Sequence, residues 1–87
     1  MFRYRLYTEA KNEARLNELI GEDFKGYTVL KSLGVYNGTV ENSLVFEIVT
    51  GDNSALSCIK QICNIIREEN QQECVLVTRD EVESFIF

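Results

Sequence analysis

Residues 27–50 read YTVLKSLGVYNGTVENSLVFEIVT, two β-patterned runs joined by Asn37-Gly38. An Asn-Gly pair between such runs marks a two-residue type I′ turn, which needs φ > 0 at both central positions. The stretch is therefore read as the central hairpin of a small α+β domain. Strand two covers Tyr27 to Tyr36 and strand three Val40 to Thr50. Side chains alternate along a strand, so Val40, Asn42, Leu44, Phe46, Ile48 and Thr50 share one face. Glu41, Ser43, Val45, Glu47 and Val49 share the other. The first set is bulkier and is expected to meet the helices.

Before the hairpin, Phe2 to Thr8 alternates as strand one: Phe2, Tyr4, Leu6 and Thr8 face one way, Arg3, Arg5 and Tyr7 the other. The period then changes. Leu16, Leu19 and Ile20 form an amphipathic stripe over a helix from Asn12 to about Glu22, ending near Asp23, with Asn12 as its expected N-cap and Gly26 turning into strand two. After strand three, Gly51-Asp52-Asn53-Ser54 is a turn offering three caps. Leu56, Ile59, Ile62, Cys63 and Ile66 then stripe a second helix to about Glu69. Glu73 to Thr78 reads as strand four, Arg79-Asp80 as a turn, and residues 82–87 as a short apolar tail.

The order β-α-β-β-α-β over 1–87 is the ferredoxin-like arrangement, a four-stranded antiparallel sheet with both helices on one face. Right-handed crossovers place strands one and three at the centre and two and four at the edges. The face away from the helices then carries Arg3, Arg5 and Tyr7 beside Glu41, Ser43, Val45, Glu47 and Val49. An uncovered face with several valines and a tyrosine is expected to be covered by a partner. Glu41 is expected to be held there by Arg3 or Arg5.

Composition narrows function. The chain has 87 residues, a formal net charge of −5 and no His. A single domain of this size has a marginal core, which association would help. The acidic balance and scattered cations argue against nucleic acid, since phosphate neutralisation needs clustered Lys and Arg. Tyr7 is the one aromatic on the open face of the central strands, too little for stacked bases. Cys58, Cys63 and Cys74 form neither a CxxC pair nor a disulfide framework; an odd count fits a reduced cytoplasmic chain, and no metal or other cofactor is expected. Absence of a long apolar run leaves no transmembrane span or signal peptide.

No catalytic constellation is found. The usual base near neutral pH is missing. The glycines at 21, 26, 34, 38 and 51 are isolated, so no phosphate-cradling loop or dinucleotide fingerprint forms. The adjacent carboxylates Glu22/Asp23, Glu68/Glu69 and Asp80/Glu81 fall at helix ends or turns. Glu41 and Glu47 lie within a strand but about 20 Å apart, too far for a dyad.

Gly26, Thr28 and Val29; Gly34 and Tyr36; Glu41 and Ser43; and Gln72, Glu73 and Val75 together form a G-x-T-V, G-x-aromatic, E-x-S and Q-E-x-V pattern. In this pattern the chain resembles an uncharacterised bacterial family of ferredoxin-like domains. It is also loosely similar to the divalent-cation-tolerance and PII signalling proteins, whose ligands sit between the subunits of trimers. The resemblance implies a non-enzymatic small oligomer, trimeric or dimer-based, holding a small molecule or nucleotide-like ligand in inter-subunit clefts. The long PII nucleotide-binding loop has no counterpart, because strands two and three are joined by two residues. The alternative is a protein-interaction module or small inhibitor, of viral origin for example, acting through an acidic surface. Candidate ligand or interface residues are Arg3, Arg5, Tyr7, Tyr36, Glu41, Ser43, Gln72, Glu73, Phe85 and Phe87. The last two belong to a tail too apolar to stand in water, expected to pack on its own domain or, preferentially, on the sheet edge of a neighbouring subunit.

Overall fold

Asn37 and Gly38 take φ of 50° and 76°, the two positive values that a type I′ hairpin turn requires. Strand β2 (Thr28–Tyr36) and strand β3 (Thr39–Thr50) pair around them, from Tyr36 opposite Thr39 to Thr28 opposite Glu47. Only glycine adopts that backbone freely. Gly38→Val is expected to lower stability by more than about 1 kcal/mol. Thermal unfolding checks this, and an unchanged melting temperature would remove the turn assignment.

The computed structural model describes residues 1–87. The remaining elements are β1 (Phe2–Glu9), α1 (Glu13–Asp23), α2 (Ala55–Asn70) and β4 (Leu76–Glu81). The sheet is antiparallel throughout, in the order β2-β3-β1-β4, with β1 and β3 central as the crossover argument expects. This is the ferredoxin-like α+β arrangement. No helix is long and apolar enough to cross a membrane.

The core lies between sheet and helices. Tyr4 and Leu6 of β1 and Leu44, Phe46 and Ile48 of β3 meet Leu16, Leu19 and Ile20 of α1 and Ile59, Ile62 and Ile66 of α2. Each helix thus buries one stripe, spaced i, i+3, i+4 on α1 and i, i+3, i+7 on α2. Full burial of one such side chain contributes about 1.5–3 kcal/mol. At the surface, Arg15 of α1 donates from Nε and Nη2 to the Glu69 carboxylate of α2, at 2.9 and 3.0 Å. That hydrogen bonding holds the Glu69 carboxyl below the usual carboxylate range.

Three local expectations are corrected. Asn12 does not cap α1 with its side chain: it sits in the left-handed region, and its amide donates to Asn70 instead. Arg79-Asp80 is not a turn. Both residues belong to β4, opposite Tyr4 and Arg3, and β4 begins at Leu76 rather than Glu73. Polar residues suit an edge strand with one solvated side, so their polarity was no sign of a break. Finally, the bulky face of β3 meets the helices only in its second half. Strand β1 ends where Glu9 faces Ser43, so the tip of the β2–β3 hairpin has no third strand beneath it. Leu33, Val35 and Val40 there are 71%, 70% and 61% exposed.

Candidate functional site

The overhanging hairpin curls across the open face of the sheet, following the right-handed twist that strands carry. Its reach is marked by Tyr36, whose hydroxyl donates to Glu73 Oε2 at 3.3 Å in the connection between α2 and β4. A two-stranded ribbon thus arches from one edge of the sheet toward the other. Under the arch lies a groove of about 660 Å³.

The floor of the groove is Val45 and Tyr7, paired across the central strands, with Leu76 beside them. The arch shields Val45, which is 7% exposed although it points away from the helices. Polar groups converge from the walls. Ser32 Oγ and Ser43 Oγ share a hydrogen bond at 2.6 Å across β2 and β3. Glu9, Glu41 and Glu73 supply carboxylates, and the lining contains no Lys or Arg. Lys11 Nζ lies 2.8 Å from Glu9 Oε2, so Glu41 and Glu73 carry the uncompensated charge. Glu73 also acts on Tyr36. Its negative charge, together with the hydrogen bond, raises the phenol above its ordinary pKa.

Five of the ten residues singled out from the sequence line this groove: Tyr7, Tyr36, Glu41, Ser43 and Glu73. The other five do not. Arg3 and Arg5 lie on the same face but nearer its other end, and their charges are engaged. Arg5 Nε donates to Glu47 at 2.9 Å, and Arg3 donates through Nε and Nη2 to the Asp80 carboxylate at 3.1 and 2.6 Å. The expected pairing of Glu41 with an arginine is therefore wrong. The register places Glu41 opposite Gly34, two residues past the last β1 residue that faces β3. Gln72 is buried behind the groove wall, where its amide donates to Thr8 Oγ1 at 2.9 Å, a structural tie between the α2–β4 connection and β1.

Phe85 and Phe87 lie away from the groove. Val82 donates its backbone N–H to Met1 O at 3.0 Å, and beyond it the chain leaves the sheet. Phe85, Ile86 and Phe87 are exposed, so of the two placements expected for the tail, packing on its own domain is the one that does not hold.

Residues that the sequence reading missed include Ser32, Gly34, Glu9, Cys74 and Leu76. The alternation of β2 put Ser32 and Gly34 on the open face, a signal present but unused. Cys74 enters through the connection before β4, which no periodicity marks. Among the thiols, burial pushes Cys63 up, holding it protonated, so it is no candidate nucleophile.

No protein-family model matches the chain, and no curated protein does. Among solved structures the chain is similar to a de novo designed protein, Foldit4, at 15% identity and a TM-score of 0.54, covering 94% of this chain and 96% of that one. At that identity the likeness concerns the fold alone.

Proposed function

We propose that this chain is a non-enzymatic binding domain that takes a small ligand in the groove beneath the hairpin arch. The observation that carries this reading is the groove itself. Its volume of about 660 Å³ falls within the range of small-molecule sites, and it combines an apolar floor with a few convergent polar groups, as such sites do.

Its chemistry favours one class of ligand. Two tyrosines offer flat apolar surface and a hydroxyl each, the paired serines offer short hydrogen bonds, and Glu41 and Glu73 bring net negative charge. A cation over a tyrosine ring, near a carboxylate, is stabilised by both. A phosphate would meet like charge with no cation to receive it. The reading therefore narrows the expected ligand from small molecules and nucleotides in general to an organic cation with a flat apolar body.

Amide chemical-shift titration tests this with two probes, tryptamine and adenosine monophosphate. Tryptamine is expected to move the resonances of Tyr7, Tyr36, Ser43 and Glu73. Glu41→Gln and Glu73→Gln together are expected to weaken it about tenfold, the effect of about 1.4 kcal/mol. Tighter binding of the monophosphate, or shifts confined to residues outside the groove, would overturn the assignment.

A further inference from the structure

The chain leaves two apolar surfaces bare at opposite edges of its sheet. One is the outer side of the hairpin, where Leu33 and Val35 lie on β2, the edge strand, with no neighbour on its far side. The other is the segment after β4. There Phe85 and Phe87 stack on each other, ring centroids 6.3 Å apart and planes 16° from parallel. Residues two apart on one side are the alternation of an extended chain, the form in which a segment adds to a sheet edge.

We propose that the segment from Val82 to Phe87 of one copy adds as a strand to the free β2 edge of a second copy. Charge and shape set the register. Lys31 and Glu83 take part in none of the chain's ion pairs. Placing Glu83 beside Lys31 in a parallel pairing puts Phe85 beside Leu33 and Phe87 beside Val35, all on the outer side. On the inner side the same register sets Ile86 beside Gly34. That glycine is not required by its own chain. Its φ is not positive, and a Cβ added to it would come no closer than 3.6 Å to any neighbour. A glycine inside a strand weakens it and often marks the close approach of another group. Here it leaves room for Ile86.

The size of the contact is sufficient. Burying two phenyl rings and an isoleucine removes roughly 500 Å² on one side and a similar area on the other. The total of about 1,000 Å² reaches the lower bound of specific interfaces. Backbone hydrogen bonds to β2 add to it, as in other strand additions. The segment and the edge are different surfaces, so the contact is heterologous and builds a ring or a chain of copies. It does not rest on the groove holding a ligand.

Sedimentation velocity over a concentration series tests the contact in the full chain. Wild type is expected to self-associate. The double substitution Phe85→Ser/Phe87→Ser is expected to weaken assembly by tenfold or more, about 1.4 kcal/mol at least. Lys31→Glu and Glu83→Lys are each expected to weaken it about fivefold, and the two together to restore it. All four positions are exposed, and circular dichroism confirms that each variant folds. The proposal is overturned if wild type stays monomeric at every concentration. It is also overturned if the phenylalanine variant assembles like wild type, or if the double charge reversal stays as weak as the singles. A monomer that floats with phosphatidylcholine vesicles through Phe85 and Phe87 would assign the segment to a lipid surface, overturning the proposal too.

Discussion

Phe46→Ala is expected to cost about 3–5 kcal/mol, the range for truncating a buried phenylalanine. Phe46 is fully buried at the centre of β3, opposite Leu6 of β1 and Val29 of β2. Its ring also meets Tyr27, centroids 6.0 Å apart. Removing it takes away the transfer free energy of the ring and leaves a cavity between sheet and helices, which the surrounding packing closes only in part. An 87-residue domain has roughly 4–13 kcal/mol of total stability. The loss therefore consumes a large share of it and brings the variant near unfolding at room temperature. Urea denaturation measures the effect as a lower midpoint. Val49→Ala is the control. It lies on the same strand but points away from the helices and is 40% exposed, so it is expected to shift stability by about 0.5 kcal/mol or less. If both variants shift the midpoint equally, the core is not centred on β3.

The position of Phe46 could be read before any coordinates because alternation and turn chemistry agree there. Asn37-Gly38 sets where the hairpin folds, and every second residue of β3 from Leu44 to Ile48 is large and apolar. The helices were legible for the same kind of reason: Leu16, Leu19 and Ile20, then Ile59, Ile62 and Ile66, repeat at the spacing of one helix face.

The groove was only half legible. Alternation put Tyr7, Glu41 and Ser43 on one face, but it says nothing about how far a strand runs past its neighbours. The overhang follows from β1 stopping at Glu9, and the arch from the twist of an unsupported ribbon. Neither leaves a mark in the pattern of β2 or β3. The contact between Tyr36 and Glu73 joins residues 37 apart and depends on that arch. The mistaken pairing of Glu41 has the same origin, since sharing a face is not sharing a register. Arg5 meets Glu47 because they are opposed across β1 and β3, whereas Glu41 stands beyond the end of β1.

Asn70→Ala is the other large effect expected, a loss of about 1–3 kcal/mol from two hydrogen bonds and the polar groups left without partners. Asn70 ends α2 and is 7% exposed. Its Nδ2 donates to Lys11 O at 3.1 Å, and its Oδ1 accepts from Asn12 Nδ2 at 2.7 Å. Both partners lie in the connection between β1 and α1. One amide therefore clamps the start of the first helix to the end of the second. The clamp also holds Asn12 in the left-handed region at φ 55°, from which its carbonyl accepts the N–H of Leu16 and opens α1. That backbone is strained for most side chains, asparagine being among the more tolerant, and free for glycine. Asn12→Gly should consequently cost less than Asn70→Ala: it gives up one of the two hydrogen bonds but relieves the backbone. Asn64→Ala is the reference for a solvated asparagine on the same helix, expected within about 0.5 kcal/mol of wild type. Chemical denaturation of the three variants should rank Asn70→Ala lowest, then Asn12→Gly, with Asn64→Ala near wild type. Equal midpoints for Asn70→Ala and Asn64→Ala would mean that the two helices are held by their apolar stripes alone and that the amide clamp adds nothing.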